Sequence, residues 1–400
     1  MKKINIGLLG FGTVGQGVAK IIHEKGEQIK ASTGCELEIK KVLVRNMDKE
    51  RAVKLPKELF TTDAHLIPND PQIDLVIEVT GDVELSYELM QIAFKNKKHV
   101  VTANKAVVSA YFEELSELAA ENGVYFLYEA SVGGGIPVLK PLKDIIKLNE
   151  VSRVRGILNG TCNYILTKMT AFGADYGEVL KEAQELGYAE ADPSSDVEGT
   201  DTQRKLRILA SLAFGAKVTE EDILCLGIDK LSAFDIEAMK ERGKVVKLVG
   251  DAKEVEGGYE AIVQPVAVSA GSYFSSVNQA FNSVAVSSDM VGEVKFYGAG
   301  AGMLPTANAV LTDCLDVATE EQIIANPLRD RGMVCKTQEL KGVFYVRTEE
   351  KTAALAALEG EAVASSPYAM ITKPVALKEL LELLSSDPAA SIIRMEGEDY

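Results

Sequence analysis

Short apolar runs alternate with amphipathic periods through residues 1–130. "INIGLLG" reads as a strand and "VGQGVAKIIHEKGEQI" as a helix. "LEIKKVLVRN" and "IDLVIEVTG" read as two further strands. "ELMQIAFKNKKHVVTANK" and "YFEELSELAAENGVYFLYEA" each give a helix and then a strand. Strands about one helix apart are the signature of a parallel, doubly wound α/β sheet.

From about Glu150 the rhythm changes. "VSRVRGILNG" is a strand running into turn residues. Helices are expected across residues 205–250, and alternating strands follow in "EAIVQPVAVSA", "NSVAVSS" and "GEVKFYGAG". This predicts a second, α+β domain built on a mixed sheet. "TANAVLTDCLDVATEEQI" is a helix after a glycine cluster, and "NPLRDRGMVCKTQE" reads as a linker. Residues 341–400 carry a compact βαββαβ pattern. The expected division is 1–130, with 300–325 returning to it, then 131–299, a linker over 326–340, and 341–400.

Composition narrows the function. The chain has 400 residues, 46% of them hydrophobic, and a formal net charge of −16. That charge argues against nucleic acid and against an anionic membrane surface as partners. No run reads as a transmembrane helix, and the apolar start breaks into glycines too early for a signal peptide. The five cysteines are scattered, with no CxxC, which predicts reduced thiols and a cytoplasmic setting. The three histidines, His23, His65 and His99, all lie in the first quarter. Acid–base chemistry later in the chain therefore falls to Lys, Asp, Glu or Tyr.

Gly10, Gly12 and Gly15 form G-x-G-x-x-G between the first strand and first helix, with Phe11, Thr13 and Val14 filling the loop. In that context the glycines serve a tight turn, close approach to a pyrophosphate, and helix–strand packing. A glycine turn in a ligand-free α/β domain is the alternative. The second strand ends "VLVRN", with Arg45 where a NAD site places an acid, so NADP(H) is favoured over NAD(H). "EVTG" and "VTANK" end strands at the carboxyl edge, which makes Thr80 and Lys105 candidates for the nicotinamide end.

One loop gathers Glu190, Asp192, Asp196, Glu198 and Asp201, then turns basic at Arg204 and Lys205. Asp201 and Lys205 stand four apart at a helix start and share a face. Clustered carboxylates repel unless a cation joins them. Either Lys205 or a substrate ammonium would serve, which suits a small amino-acid substrate. A solvated acidic loop is the plain alternative.

The run Ala183-x3-Gly187-Tyr188-Ala189-x2-Asp192-Pro193-x2-Asp196-Val197-x-Gly199-x-Asp201-x3-Lys205 resembles the signature of homoserine dehydrogenases. The resemblance extends to the glycine loop, "TANK", "EASVGGGIP", "GILNGTCNYIL" and "GAGAGMLPTA". It implies reduction of L-aspartate 4-semialdehyde to L-homoserine with NAD(P)H, on the route to threonine, isoleucine and methionine. It also implies that residues 131–299 form a catalytic and dimerisation domain. On matching residues, Lys205 resembles the proton donor and Asp201 the acid that orients substrate beside it. Glu190 and Asp196 resemble homoserine-binding carboxylates, and Lys105 a second catalytic lysine reaching cofactor and substrate, so the proton donor is Lys205 or Lys105. Gly187, Gly300 and Gly302 resemble backbone contacts to the cofactor. "EASVGGGIP" resembles a Na+ or K+ loop using backbone oxygens of Glu129, Val132, Gly134 and Ile136. Residues 341–400 resemble an ACT module, a ferredoxin-like amino-acid sensor, but lack the Pro-Gly turn after Thr348. Weak threonine inhibition and a role in assembly, as homodimer or homotetramer, are expected.

Two other readings remain at this point. One is a redox-sensing NADP-binding regulator without catalysis. The other is a dehydrogenase for a different small aldehyde. The regulator would have no use for Lys105, Asp201 and Lys205 at these spacings, and a substrate panel separates the enzymes.

Overall fold

The computed structural model describes residues 2–320, 326–328 and 331–397. The end of the expected returning segment (321–325) and two positions of the expected linker (329–330) lie outside the described residues. The chain divides into two compact units. The first comprises residues 1–148, 211–217 and 298–331, and the second 149–210, 218–297 and 332–400.

The first unit is built on six strands: β1 (Lys2–Leu9), β2 (Cys35–Leu43), β3 (Phe60–Thr61), β4 (Leu75–Glu78), β5 (His99–Thr102) and β6 (Phe126–Leu127). They pair in parallel in the order β3-β2-β1-β4-β5-β6. This is the doubly wound order in which a crevice opens where the connections reverse, between β1 and β4. The central strands are buried on both faces, so they read as continuous apolar runs rather than alternating ones. The helices are α1 (Thr13–Thr33), α2 (Leu66–Asn69), α3 (Glu84–Lys95), α4 (Lys105–Ala110), α5 (Phe112–Asn122) and α6 (Leu139–Ile145), and the segment returning late in the chain supplies α12 (Met303–Thr319). Val18 and Ala19 of α1 share one core with Ala307, Val310 and Cys314 of α12 and with Ile6 and Leu8 of β1.

The second unit carries α7 (Gly160–Phe172), α8 (Tyr176–Glu185), α9 (Ser194–Val197), α10 (Thr200–Phe214) and α11 (Ala233–Lys240). Its strands are β7 (Val151–Ile157), β8 (Leu224–Cys225), β9 (Lys244–Val255), β10 (Gly258–Ser269), β11 (Phe281–Ser288) and β12 (Gly292–Ala299). Then come β13 (Val334–Cys335), β14 (Lys341–Gly342), β15 (Phe344–Thr348), α13 (Ala353–Ala357), β16 (Gly360–Ser365), β17 (Tyr368–Thr372), β18 (Val375–Ala376), α14 (Leu377–Leu384) and β19 (Ser391–Met395). One sheet runs β12-β11-β7-β9-β10-β19-β15-β17-β16, with β8 and β13 on β10, while β14 and β18 pair separately.

The expectation of helices across 205–250 is corrected: α10 ends at Phe214, α11 covers Ala233–Lys240, and Lys244–Val255 is a strand. "KVVKLVGDAKEV" pairs over its whole length with β10 through a tight hairpin at Glu256–Gly257. Its valines favour the pleated surface, and burial on the sheet overrides the helical look of the lysine spacing.

The last strands form a ladder β19-β15-β17-β16, antiparallel throughout, with α13 and α14 between them. That is the βαββαβ connectivity in fourth-first-third-second order. The ladder joins the central sheet through a short parallel pairing of Val266 and Ala267 with Arg394 and Met395. Part of the expected linker is docked: Val334 and Cys335 pair with β10, and the Thr337 hydroxyl accepts from Ala261 N at 3.0 Å. Ile262 of β10 belongs to the same core as Phe344, Val346, Leu377 and Leu380.

Lys247 on β9 is fully buried. Its ammonium donates to Val277 O (2.6 Å), Asn163 Oδ1 (3.1 Å) and Asn278 Oδ1 (3.2 Å), all neutral acceptors. Burial lowers its pKa from 10.5 to about 8. Below pH 8 the folded and unfolded chains both hold the proton and the burial penalty is fully present. Between the two values the unfolded chain keeps a proton that the folded one has released, so stability rises with pH. Urea unfolding of the wild type should therefore show a gain of about 2 kcal/mol from this group between pH 8 and pH 10, absent in Lys247→Met. The same gain in both proteins would assign the pH dependence to other groups.

Candidate active site

The glycine loop lies at the carboxyl end of β1. Gly10 has φ +103°, and a Cβ there would stand 2.9 Å from Val79 O. A Cβ on Gly15 would stand 2.3 Å from Gly10 O, so this glycine permits close packing of helix on loop. Gly12 differs: a Cβ there would meet nothing within 4 Å. It is the N-cap of α1, and no side chain caps that terminus. No side chain caps the amides of the first turn, at Thr13, Val14 and Gly15, and the positive end of a helix dipole stands behind them, which suits a pyrophosphate. Phe11 is buried against Phe60 instead, with ring centroids 5.4 Å apart.

The second glycine cluster comes to the same place. A Cβ on Gly17 of α1 would lie 2.6 Å from Met303 O, so the first turns of α1 and α12 are in contact. Gly302 is the N-cap of α12, with φ +130° and no side-chain cap. Gly300 O lies 2.4 Å from where a Cβ on Gly134 would stand. Nearly 300 residues of chain separate these glycines from Gly10 and Gly12, and helix packing alone unites them.

The crevice floor rests on a residue that the sequence did not single out. Glu78, at the end of β4, is fully buried. It accepts from Thr80 N and Oγ1 (both 2.7 Å), Ser86 Oγ (2.8 Å) and Thr102 Oγ1 (2.7 Å). The Thr80 hydroxyl is thereby turned inward onto Glu78. Asn104 caps α4 by accepting from Ala106 N and Val107 N, and it donates to Asp82 O at 2.9 Å. This sets Lys105 as the first residue of α4, half-buried, at the carboxyl end of β5. Arg45 follows β2 with its side chain 88% exposed, its nearest acid being Asp82 at 3.8 Å.

The triple-glycine loop is also in the first unit. Gly133 and Gly134 adopt φ +75° and +55°. Glu129 sends its carboxylate onto Val138 N (2.5 Å), Leu139 N (2.7 Å) and Lys140 N (2.7 Å), capping α6. Burial pushes this carboxyl up while the three amides pull it down. Its backbone oxygen already accepts from Val132 N at 3.3 Å. A carbonyl has a second lone pair, so the expected set of Glu129, Val132, Gly134 and Ile136 oxygens keeps acceptor capacity. Among the described residues, no three His, Cys, Asp or Glu side chains are grouped to hold a metal ion.

In the second unit the acidic loop divides by role. Asp192 caps α9, accepting from Ser194 N (3.1 Å) and Oγ (2.5 Å). Glu190 and Glu198 are exposed, and Gly187 is an exposed turn with φ +76°. Asp196 and Asp201 are tied together by Asn159, whose amide nitrogen donates to Asp196 Oδ1 at 2.6 Å and to Asp201 Oδ2 at 2.8 Å. Asn159 Oδ1 accepts from Cys162 N at 2.8 Å and so caps α7. All three of its contacts demand this orientation of the amide, since a flip would turn its oxygen onto two carboxylates. Lys205 is buried, and its ammonium donates to Asp201 Oδ2 and to Leu158 O, both at 2.7 Å. Asn282 holds the same Leu158 oxygen at 2.8 Å. An ammonium has three protons. These partners engage two of them. Burial raises the Cys162 thiol well above its ordinary value, which removes it as a nucleophile.

Asn159, Asn282 and Glu78 escaped the sequence reading. Asn159 alone had a local signal, an Asn-Gly pair between a strand and a helix.

A family model described as "Homoserine dehydrogenase, NAD binding domain" matches residues 10–129, and one described as "Homoserine dehydrogenase" matches residues 137–315. A homoserine dehydrogenase of Synechocystis sp. is 47% identical over 86% of this chain and 82% of its own, and one of Bacillus subtilis is 46% identical over 79% and 73%. The crystal structure of a homoserine dehydrogenase from Thiobacillus denitrificans is 34% identical, covers 99% of both chains and superposes with a TM-score of 0.90. A hyperthermophilic archaeal homoserine dehydrogenase in complex with NADPH is 27% identical, covers 80% of this chain and 99% of that one, and has a TM-score of 0.69. The parallel sheet, with its open glycine-capped helix, and these matches define an oxidoreductase with an NAD(P)-binding domain. The chain belongs to the homoserine dehydrogenase family.

The glycine geometry separates folding from binding. Gly12→Ala should leave stability within about 0.5 kcal/mol of wild type and weaken nicotinamide nucleotide binding roughly tenfold or more. Gly15→Ala should destabilise the fold by about 1–3 kcal/mol. Unfolding curves and nucleotide titrations of the two variants check both, and a Gly12→Ala protein with wild-type nucleotide affinity would remove the loop from the cofactor site.

Proposed function

We propose that the chain interconverts L-homoserine and L-aspartate 4-semialdehyde with NADP(H), and that Lys205 moves the proton. One observation carries the assignment: a buried ammonium is held by Asp201 and Leu158 O, with a third proton left over. The bound nicotinamide supplies or accepts the hydride. In reduction, Lys205 gives a proton to the aldehyde oxygen as that oxygen becomes a hydroxyl. In oxidation it receives the proton back. Asp201 and Leu158 O fix the ammonium in place. Asp196, held by Asn159, and the exposed Glu190 are assigned to the substrate ammonium. Lys105, at the carboxyl edge of the nucleotide sheet, is assigned to cofactor and substrate together. Residues 1–130 and 300–325 are assigned as the dinucleotide-binding domain and 131–299 as the catalytic and dimerisation domain, of which 131–148 pack in the first compact unit.

Gly10 to Gly15, Thr80, Gly187, Gly300 and Gly302 are assigned to the cofactor, with Arg45 on a 2′-phosphate. An exposed guanidinium beyond the end of β2 supports that choice. A Na+ or K+ ion is assigned to the Glu129, Val132, Gly134 and Ile136 oxygens, supported by the left-handed glycines that turn the loop. The C-terminal βαββαβ unit is assigned as an ACT-like module that supports assembly of a homodimer or homotetramer. Its strand order supports this reading, and the missing Pro-Gly turn after Thr348 argues for weak threonine inhibition.

Lys205→Ala should lower kcat about 100-fold or more, the scale of a lost general acid, while NADPH binding stays near wild type. Near-wild-type turnover in the folded variant would end the proton-donor role. Arg45→Ala should raise Kd for NADPH by roughly tenfold, about 1.4 kcal/mol, and leave NADH little changed. Equal loss for both nucleotides would make Arg45 structural.

A further inference from the structure

One short turn, residues 159–162, holds the acidic loop that runs from α8 to α10. The Thr161 hydroxyl donates to Tyr188 O at 2.7 Å, and the Cys162 thiol donates to Asp196 O at 3.1 Å. The Asn159 amide nitrogen donates to Asp196 Oδ1 at 2.6 Å and to Asp201 Oδ2 at 2.8 Å. The loop is thus held at its start, in its middle and at the helix that follows. The turn is itself fixed from behind. A Cβ on Gly160 would stand 2.8 Å from Ala280 O, so backbone lies close on backbone there. Asn282 holds Leu158 O at 2.8 Å, and Asn159 Oδ1 accepts from Cys162 N at 2.8 Å. Asn159 is buried, with its amide engaged at both ends.

An amide NH2 group carries two protons in one plane. Here each goes to a different carboxylate, and both acceptor oxygens lie within 2.8 Å of a single nitrogen. Two carboxylates this close repel each other. The amide offsets that repulsion with two hydrogen bonds to charged acceptors, which are among the strong ones. It also fixes the distance between them, because both bonds start from one atom. Asp201 in turn holds the Lys205 ammonium at 2.7 Å. The amide therefore spaces Asp196 from the carboxylate that anchors Lys205.

We propose that Asn159 is a positioning residue for the reaction, acting through Asp196 without touching the substrate. It holds the carboxylate that receives the substrate ammonium at a set distance from the lysine that moves the proton. Bound substrate is then aligned between the two, which is how a remote contact contributes to rate. The inference rests on the homoserine reading above, in which Asp196 takes the substrate ammonium and Lys205 the proton. Lys205 keeps its own bonds to Asp201 and Leu158 O without the amide. Losing Asn159 therefore affects substrate binding before it affects proton transfer.

The test is steady-state oxidation of homoserine by the full chain with NADP+, beside unfolding curves and NADPH titrations. Asn159→Ser removes both donors yet keeps an N-cap for α7, since Ser, Asn and Asp cap about equally well. The expected result is a KM for homoserine about tenfold higher, with kcat within about threefold of wild type, the pattern of lost binding rather than lost chemistry. NADPH affinity and stability should stay near wild type. Asn159→Asp also keeps the cap and the shape, but it turns a third carboxylate onto the pair. It should raise KM at least as far. If negative charge alone drew the ammonium, Asn159→Asp would lower KM instead, so this variant carries the test by its sign should Asn159→Ser fail to fold. A wild-type KM in folded Asn159→Ser overturns the positioning role, and so does a wild-type or lower KM in Asn159→Asp. Unfolding of both variants would make Asn159 structural. No homoserine turnover by the wild type would end the homoserine reading, and this inference with it.

Discussion

A buried ammonium needs acceptors, and the organisation of the second unit around residue 205 follows from that requirement. Lys205 lies within the protein, where an uncompensated charge would cost several kcal/mol. Asp201, one helical turn earlier, supplies the countercharge, and the carbonyl of Leu158 supplies the second acceptor. That carbonyl is available because β7 ends at Ile157 and the chain turns at Asn159 into α7. Asn159 then caps α7 and holds both Asp196 and Asp201. One turn thus fixes a helix start, two carboxylates and a lysine.

The same economy of side chains recurs in the nucleotide unit. Glu78 gathers Thr80, Ser86 and Thr102 at the carboxyl ends of β4 and β5. It builds a rigid floor from groups that would otherwise be buried without partners. Asn104 caps α4 beside it, whereas α1 and α12 start at glycines with no side-chain cap. Donors are satisfied at the floor, and no side chain caps the two glycine-started helices. Asp192 shows the contrasting case: it caps a short helix and takes no part in the lysine network.

Local physics made part of this molecule legible in its sequence. The glycine loop is readable because a left-handed turn and a close backbone approach each demand glycine at a fixed spacing. The pairing of Asp201 with Lys205 is readable because helical residues four apart share a face. The strand–helix alternation of the first unit follows from apolar periodicity, and so does the βαββαβ ending.

Contacts between residues distant along the chain were decided only by the tertiary structure. Asn159 meets Asp196 and Asp201 across 37 and 42 residues, and its Asn-Gly pair marks a turn but not these partners. Lys247, buried among neutral acceptors, lies in sequence within the stretch 205–250 that reads as helical. The strand from Lys244 to Val255 is strand because β7 and β10 flank it. The rows that place Arg155 beside Asp251, and Arg394 beside Val266, exist only once the register is set. Periodicity specifies which face of an element is apolar. It carries no information about which element will cover that face, because that choice is made by long-range packing.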